Sequence, residues 1–155
     1  MRMLAANTSR LPVASGLRMT NISWRSVHAP SLADFEALAA EAWDKLPARF
    51  RKVCTNVSVR VEDFATDEVL DQLGIDSPFD LMGLYQGVSL DRKSVSDIAG
   101  GPDMVVLYRR AILDYWADGD ETLGDLITHV LVHEIGHHFG LSDEDMHNIE
   151  SEANA

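Results

Sequence analysis

A single cysteine, Cys54, excludes any internal disulfide in this 155-residue chain. Its neighbours Val53 and Thr55 carry no charge that would activate the thiol, so it reads as a small buried hydrophobe, and a reducing cytoplasm fits such a chain. Basic residues are also scarce. Thirteen Lys and Arg stand against 25 Asp and Glu, for a formal net charge of -12. That balance disfavours attraction to phosphate backbones or anionic lipid, so neither nucleic acid nor a membrane is expected as a partner. No apolar run reaches the length of a membrane span, and the first twenty residues lack the continuous apolar stretch of a secretory signal. A cytoplasmic protein is the expectation. Internal repeats and low-complexity segments are missing as well.

Acidic residues are absent before Asp34, whereas Arg2, Arg10, Arg18 and Arg25 precede it. This Arg- and Ser-bearing opening is somewhat like a transit peptide, but it also arises when a start codon is placed too far upstream, and Met19 offers an internal start. Residues 1–30 are expected to be a disordered extension. The remainder, residues 31–152, is long enough for one domain with a sizeable core, and 46% hydrophobic with 25% charged residues is ordinary for a globular protein.

Ser31 opens the first strong element with a capping-box pattern, S-L-A-D. Leu32, Phe35, Leu38, Ala39, Ala42, Trp43 and Leu46 follow at helical spacing, and Pro47 marks the end. Val57, Val59 and Val61 alternate with Ser58, Arg60 and Glu62, the period of a half-buried strand. A short helix from Asp67 to Leu73 stops at Gly74. Residues 77–90, with Pro78, Gly83 and Gly87, suggest a loop flanking a short strand. After a G-G-P turn at 100–102, Met104–Tyr108 is β-prone, and D-Y-W-A-D-G-D from Asp114 to Asp120 suggests a polar connection. Thr122 caps a long helix that runs to Gly140, and Ser142 starts a last, short one. The expected architecture is α+β, with a small, mostly antiparallel sheet.

The long helix carries H-E-I-G-H at 133–137. Four residues are slightly more than one helical turn, so both imidazoles leave one face about 6 Å apart and can share an ion. Zinc accepts imidazole at about 2.0–2.1 Å and in catalytic sites takes three protein ligands, leaving a position for water. Glu134 lies beside that face without pointing along it, where its carboxylate can act as general base. The metal brings the water pKa from about 15.7 to near 7, and Glu134 would accept the proton as the water attacks a carbonyl. Gly140 suits a turn back toward the metal, and Asp143 follows it. Asp143 is the foremost third ligand, with Glu144, Asp145 and His147 as alternatives. At the chain's own frequencies of His and Glu, about 0.01 such motifs arise by chance, which favours a metal site.

His129 stands four residues before His133, but three rungs span about 12 Å of helix axis, so one ion cannot bind all three histidines. It reads as a buried, hydrogen-bonded neighbour and His138 as structural or supporting, and neither His28 nor His147 is expected to be catalytic. Tyr85, Tyr108 and Arg109 are candidates, by residue type alone, for stabilising an oxyanion.

H-E-I-G-H-H-F-G-L-S-D resembles the signature H-E-x-x-H-x-x-G-x-x-D of the minimal zincin metallopeptidases, small and largely bacterial proteins. G-L-Y-Q-G-V at Gly83–Val88 and V-V-L-Y-R-R-A-I-L at Val105–Leu113 extend the likeness to about Phe35–Ile149. The resemblance implies a compact α+β zincin fold with strands packed on the active-site helix and one strand edge lining the cleft. It implies zinc held by His133, His137 and Asp143, Glu134 as the catalytic residue, and a peptide or protein substrate. A zinc-binding structural or regulatory module without catalysis is the alternative. A zinc hydrolase acting on RNA is disfavoured by the acidic balance and by the motif glutamate.

Overall fold

Ser31 begins the first helix as expected: its hydroxyl accepts from the Asp34 amide while the Asp34 carboxylate accepts from the Ser31 amide. In the computed structural model, which describes residues 22–87 and 103–155, α1 spans Leu32–Lys45 and α2 Ala48–Val53. Then come β1 (Ser58–Glu62), α3 (Asp67–Leu73), a short 3-10 turn at Pro78–Asp80, β2 (Gly83–Gln86) and β3 (Met104–Tyr108). Three helices close the chain: α4 (Arg109–Asp118), α5 (Leu123–His138) and α6 (Asp143–Ala153). Residues 1–21 of the expected extension, residues 88–90 of the expected loop and the G-G-P turn lie outside the described residues. Residues 22–30 contain a turn and no helix or strand.

The described strands form one sheet in the order β1-β3-β2. β2 runs antiparallel to β3, with Gly83 opposite Leu107 and Gln86 opposite Met104. β1 runs parallel to β3, from Ser58 opposite Met104 to Glu62 opposite Tyr108. The small α+β sheet stands as expected, but its pairing is evenly mixed where mostly antiparallel pairing was anticipated. Alternation within a strand reports which face is buried and carries no information about the direction of its neighbour.

Central β3 explains its unbroken apolar run by being covered on both faces. Val105 and Leu107 enter the main core with Phe35, Ala39 and Ala42 of α1 and Ile127, Leu131 and Ile135 of α5. Val106 and Tyr108 face a second cluster with Ala65, Leu70 and Ala111. The expected polar connection at 114–120 is instead the second half of α4. Ile112 is buried and Leu113 and Trp116 pack on the core, continuing a helical stripe, while Asp114, Tyr115 and Asp118 form its wet face. The Trp116 indole N–H donates to the Glu121 carbonyl, 3.0 Å away. Among the described residues, no helix is long and apolar enough to cross a membrane.

Cys54 is 2% exposed, its thiol donates to the Phe50 carbonyl, and burial pushes its pKa up to about 11. Thiol-reagent labelling at pH 8 is therefore expected to be at least about 100-fold slower in the folded chain than in denaturant. Equal rates in a stopped-flow comparison would show that α2 does not shield the thiol.

Candidate metal centre

α5 is held by its apolar stripe, and the face that carries the chemistry is the one its neighbours leave partly open. Thr122 caps it by accepting from the Asp125 amide, and Leu126, Ile127, Val130, Leu131 and Ile135 are buried. His129, His133 and His137 lie one turn apart, with ring centroids separated by 4.1 Å for the first pair and 5.7 Å for the second. The i,i+4 spacing brings both pairs to a common face, and the second is the pair of the H-E-x-x-H motif. His133 is half-buried and His137 exposed.

The end of α5 determines where the next donors fall. Gly140 has φ +70, the left-handed conformation that closes a helix. The Leu141 amide donates to the Gly136 carbonyl at 2.9 Å and the Gly140 amide to the His137 carbonyl at 3.2 Å, pairing two otherwise orphan carbonyls. Ser142 then opens α6 with a full capping box to Asp145, the same device as at α1. Asp143 sits in the first turn of α6, exposed, and its charge acts on His133. Asp145, one of the alternatives for third ligand, engages its Oδ2 in the cap with Ser142.

Glu134 faces β2. Gly83 permits this approach, because a Cβ there would lie 2.7 Å from Val130 Cγ1 and 3.0 Å from Glu134 Cγ. The Tyr85 amide donates to Glu134 Oε2 at 3.3 Å. Burial pushes the Glu134 carboxyl above the usual carboxylate range, opposed by the Tyr85 amide and by the charge of His137. A carboxylate so raised is a stronger proton acceptor than a solvated one. His133 moves the other way: burial lowers its pKa first, then the neighbouring His129, against the pull of Glu150 and Asp143. A lowered pKa keeps the imidazole neutral, the form that ligates metals.

Glu150 is the residue that the sequence reading missed. Its carboxylate bridges the first two histidines, with Oε2 3.2 Å from His129 Nδ1 and Oε1 3.0 Å from His133 Nε2. Among the described residues, His129, His133 and Glu150 form the group of three whose ligand atoms all lie within 4.8 Å of one another, and His137 and Asp143 stand outside it. Glu150 lies seven residues after Asp143, two turns of α6, so a shared helical face was the signal available. His129 is hydrogen-bonded as expected, but its side chain is 46% exposed rather than buried.

The three oxyanion candidates have other engagements. The Arg109 guanidinium donates to Asp63 at 2.9 Å and to the Pro30 carbonyl at 2.6 Å. Tyr108 is buried at 1% exposure in the second cluster. The Tyr85 ring stacks on His138 at 3.7 Å, and burial together with Asp103 keeps its hydroxyl protonated. It is the Tyr85 main chain, not its hydroxyl, that meets Glu134. His138 is accordingly a packing residue.

The donors suit zinc: two imidazoles of α5 and a carboxylate of α6, with Glu150 Oε1 buried and lacking a hydrogen-bond partner. A family model described as zincin-like metallopeptidase matches residues 54–153. That match begins after α1 and α2, later than the Phe35 at which the resemblance by motif begins. No curated protein matches the chain significantly.

Proposed function

Because the chain belongs to the zincin-like metallopeptidase family, we propose that it hydrolyses peptide bonds with zinc held by His133, His137 and Asp143. The observation that carries this reading is the placing of Glu134. It follows the first motif histidine, is largely withdrawn from solvent, and lies 3.3 Å from the amide of a strand whose other edge is unpaired in the described sheet. Zinc, when bound, supplies Lewis-acid polarisation of the scissile carbonyl and acidifies water. Glu134 takes the proton from the attacking water on its carboxylate and then delivers it to the leaving nitrogen. The edge of β2 offers main-chain groups to an extended peptide, which aligns the substrate along the cleft. Unfolded segments or short peptides in the cytoplasm are the substrates that suit such an edge, and residues 31–152 suffice for the activity, with 1–30 dispensable.

Zinc near one equivalent by elemental analysis, together with hydrolysis of an unstructured peptide library that chelation stops and zinc restores, is the expected result. His137→Ala and Asp143→Ala are expected to lose hydrolysis and to bind zinc more weakly than the wild type. Zinc-loaded wild type that cleaves nothing in a broad library would overturn the peptidase reading and leave a structural zinc module.

A further inference from the structure

We propose that His129, His133 and Glu150 form a second metal position, one helical turn from the one that H-E-x-x-H defines, and that the two positions compete for His133. The donors are of the right kind: two imidazole nitrogens and a carboxylate, a set that zinc and similar divalent ions accept. One donor atom from each of the three lies within 4.8 Å of the other two. Two donors about 2.0–2.1 Å from one ion at a tetrahedral angle are about 3.3 Å apart. Each imidazole meets its own carboxylate oxygen close to that separation, His129 Nδ1 at 3.2 Å from Glu150 Oε2 and His133 Nε2 at 3.0 Å from Glu150 Oε1.

A plain hydrogen-bonded cluster does not account for all of this. Glu150 Oε1 is buried and has no hydrogen-bond partner although His133 Nε2 is within reach, so the two atoms meet at a distance suited to sharing an ion but out of line for donation. The Glu150 side chain is 16% exposed on a helix fixed by its capping box and by Met146, which keeps the carboxylate against α5.

Competition follows from valence. An imidazole nitrogen has one lone pair, so His133 Nε2 cannot serve two ions. An ion between His129, His133 and Glu150 withdraws His133 from His137 and Asp143 and leaves Glu134 beside an incomplete centre. That position is therefore a resting one, and the chain holds a single ion by His133 at any moment.

The test uses the full chain carrying His137→Ala, which disables the motif pair, titrated with cobalt(II) and followed by its visible absorption and by calorimetry. One equivalent is expected to bind, at least about tenfold more weakly than to wild type, and addition of Glu150→Gln or His129→Ala to it should weaken binding by at least about 100-fold more. Far-UV circular dichroism checks folding. His129 is half-exposed, so His129→Ala keeps the test valid should Glu150→Gln unfold the chain. His137→Ala that binds no cobalt, or binds it indifferently to both additions, would overturn the second position. A wild type that binds zinc but hydrolyses nothing would overturn the peptidase reading alone and leave this outcome untouched.

Discussion

On the proposed peptidase reading, Glu134→Gln is expected to lose peptide hydrolysis by about 100- to 10,000-fold while keeping its zinc, because a positioned general base contributes about that factor. The substitution preserves shape and leaves an amide oxygen to accept from the Tyr85 N–H, so α5 and β2 keep their contact. It removes only the capacity to take a proton. Stopped assays on the cleaved peptide, run beside elemental analysis, separate the two effects. Zinc lost with the activity would mean that Glu134 serves binding rather than proton transfer.

The same variant carries a second signature in metal-free protein. Burial raises the folded-state pKa of Glu134 above its ordinary 4.5, so the folded chain holds that proton more tightly than the unfolded chain does. The ionised carboxylate thus lowers stability at neutral pH, and the loss disappears as pH falls through the raised pKa toward 4.5. Glutamine carries no such charge. Metal-free Glu134→Gln should melt a few degrees above wild type at pH 7, with the gap closing in acid, as a functional group that strains its fold would require. Identical melting curves at pH 7 would show that Glu134 is well solvated.

Met146→Ala is expected to be the most damaging single truncation near the site, at about 2–5 kcal/mol. Met146 is fully buried, and its thioether lies directly over Gly136, where no Cβ intervenes. It is the key that locks α6 onto the motif helix. Domains of this kind are stable by only about 5–15 kcal/mol, so such a loss moves the denaturant midpoint strongly. α6 also carries Asp143 and Glu150, so zinc affinity should fall together with stability. A Met146→Ala chain that is destabilised but binds zinc like wild type would show that the donors are placed by the Gly140 turn alone.

Much of this was legible because it is local. Ser31 and Ser142 announce helix starts through hydrogen bonds within four residues, and both capping boxes are formed. The extent of β3 and the stop at Gly74 are likewise written in neighbouring residues. Where a local signal was ambiguous, packing decided. Asp114–Asp118 look like a loop by polarity, yet Ile112, Leu113 and Trp116 hold them in α4 by burying the opposite side.

By itself the sequence determined the helix of the site, the His133–His137 pair with Glu134 between them, and the turn at Gly140, since each follows from helical periodicity or from the backbone freedom of one glycine. Only the tertiary structure decided what meets that helix. The Tyr85 amide comes to Glu134 from 49 positions away and Glu150 comes to His129 from 21. The parallel partnering of β1 with β3 was settled in the same way. Such meetings depend on how whole elements bury their apolar faces against one another, a balance over many residues that no single stretch of chain records.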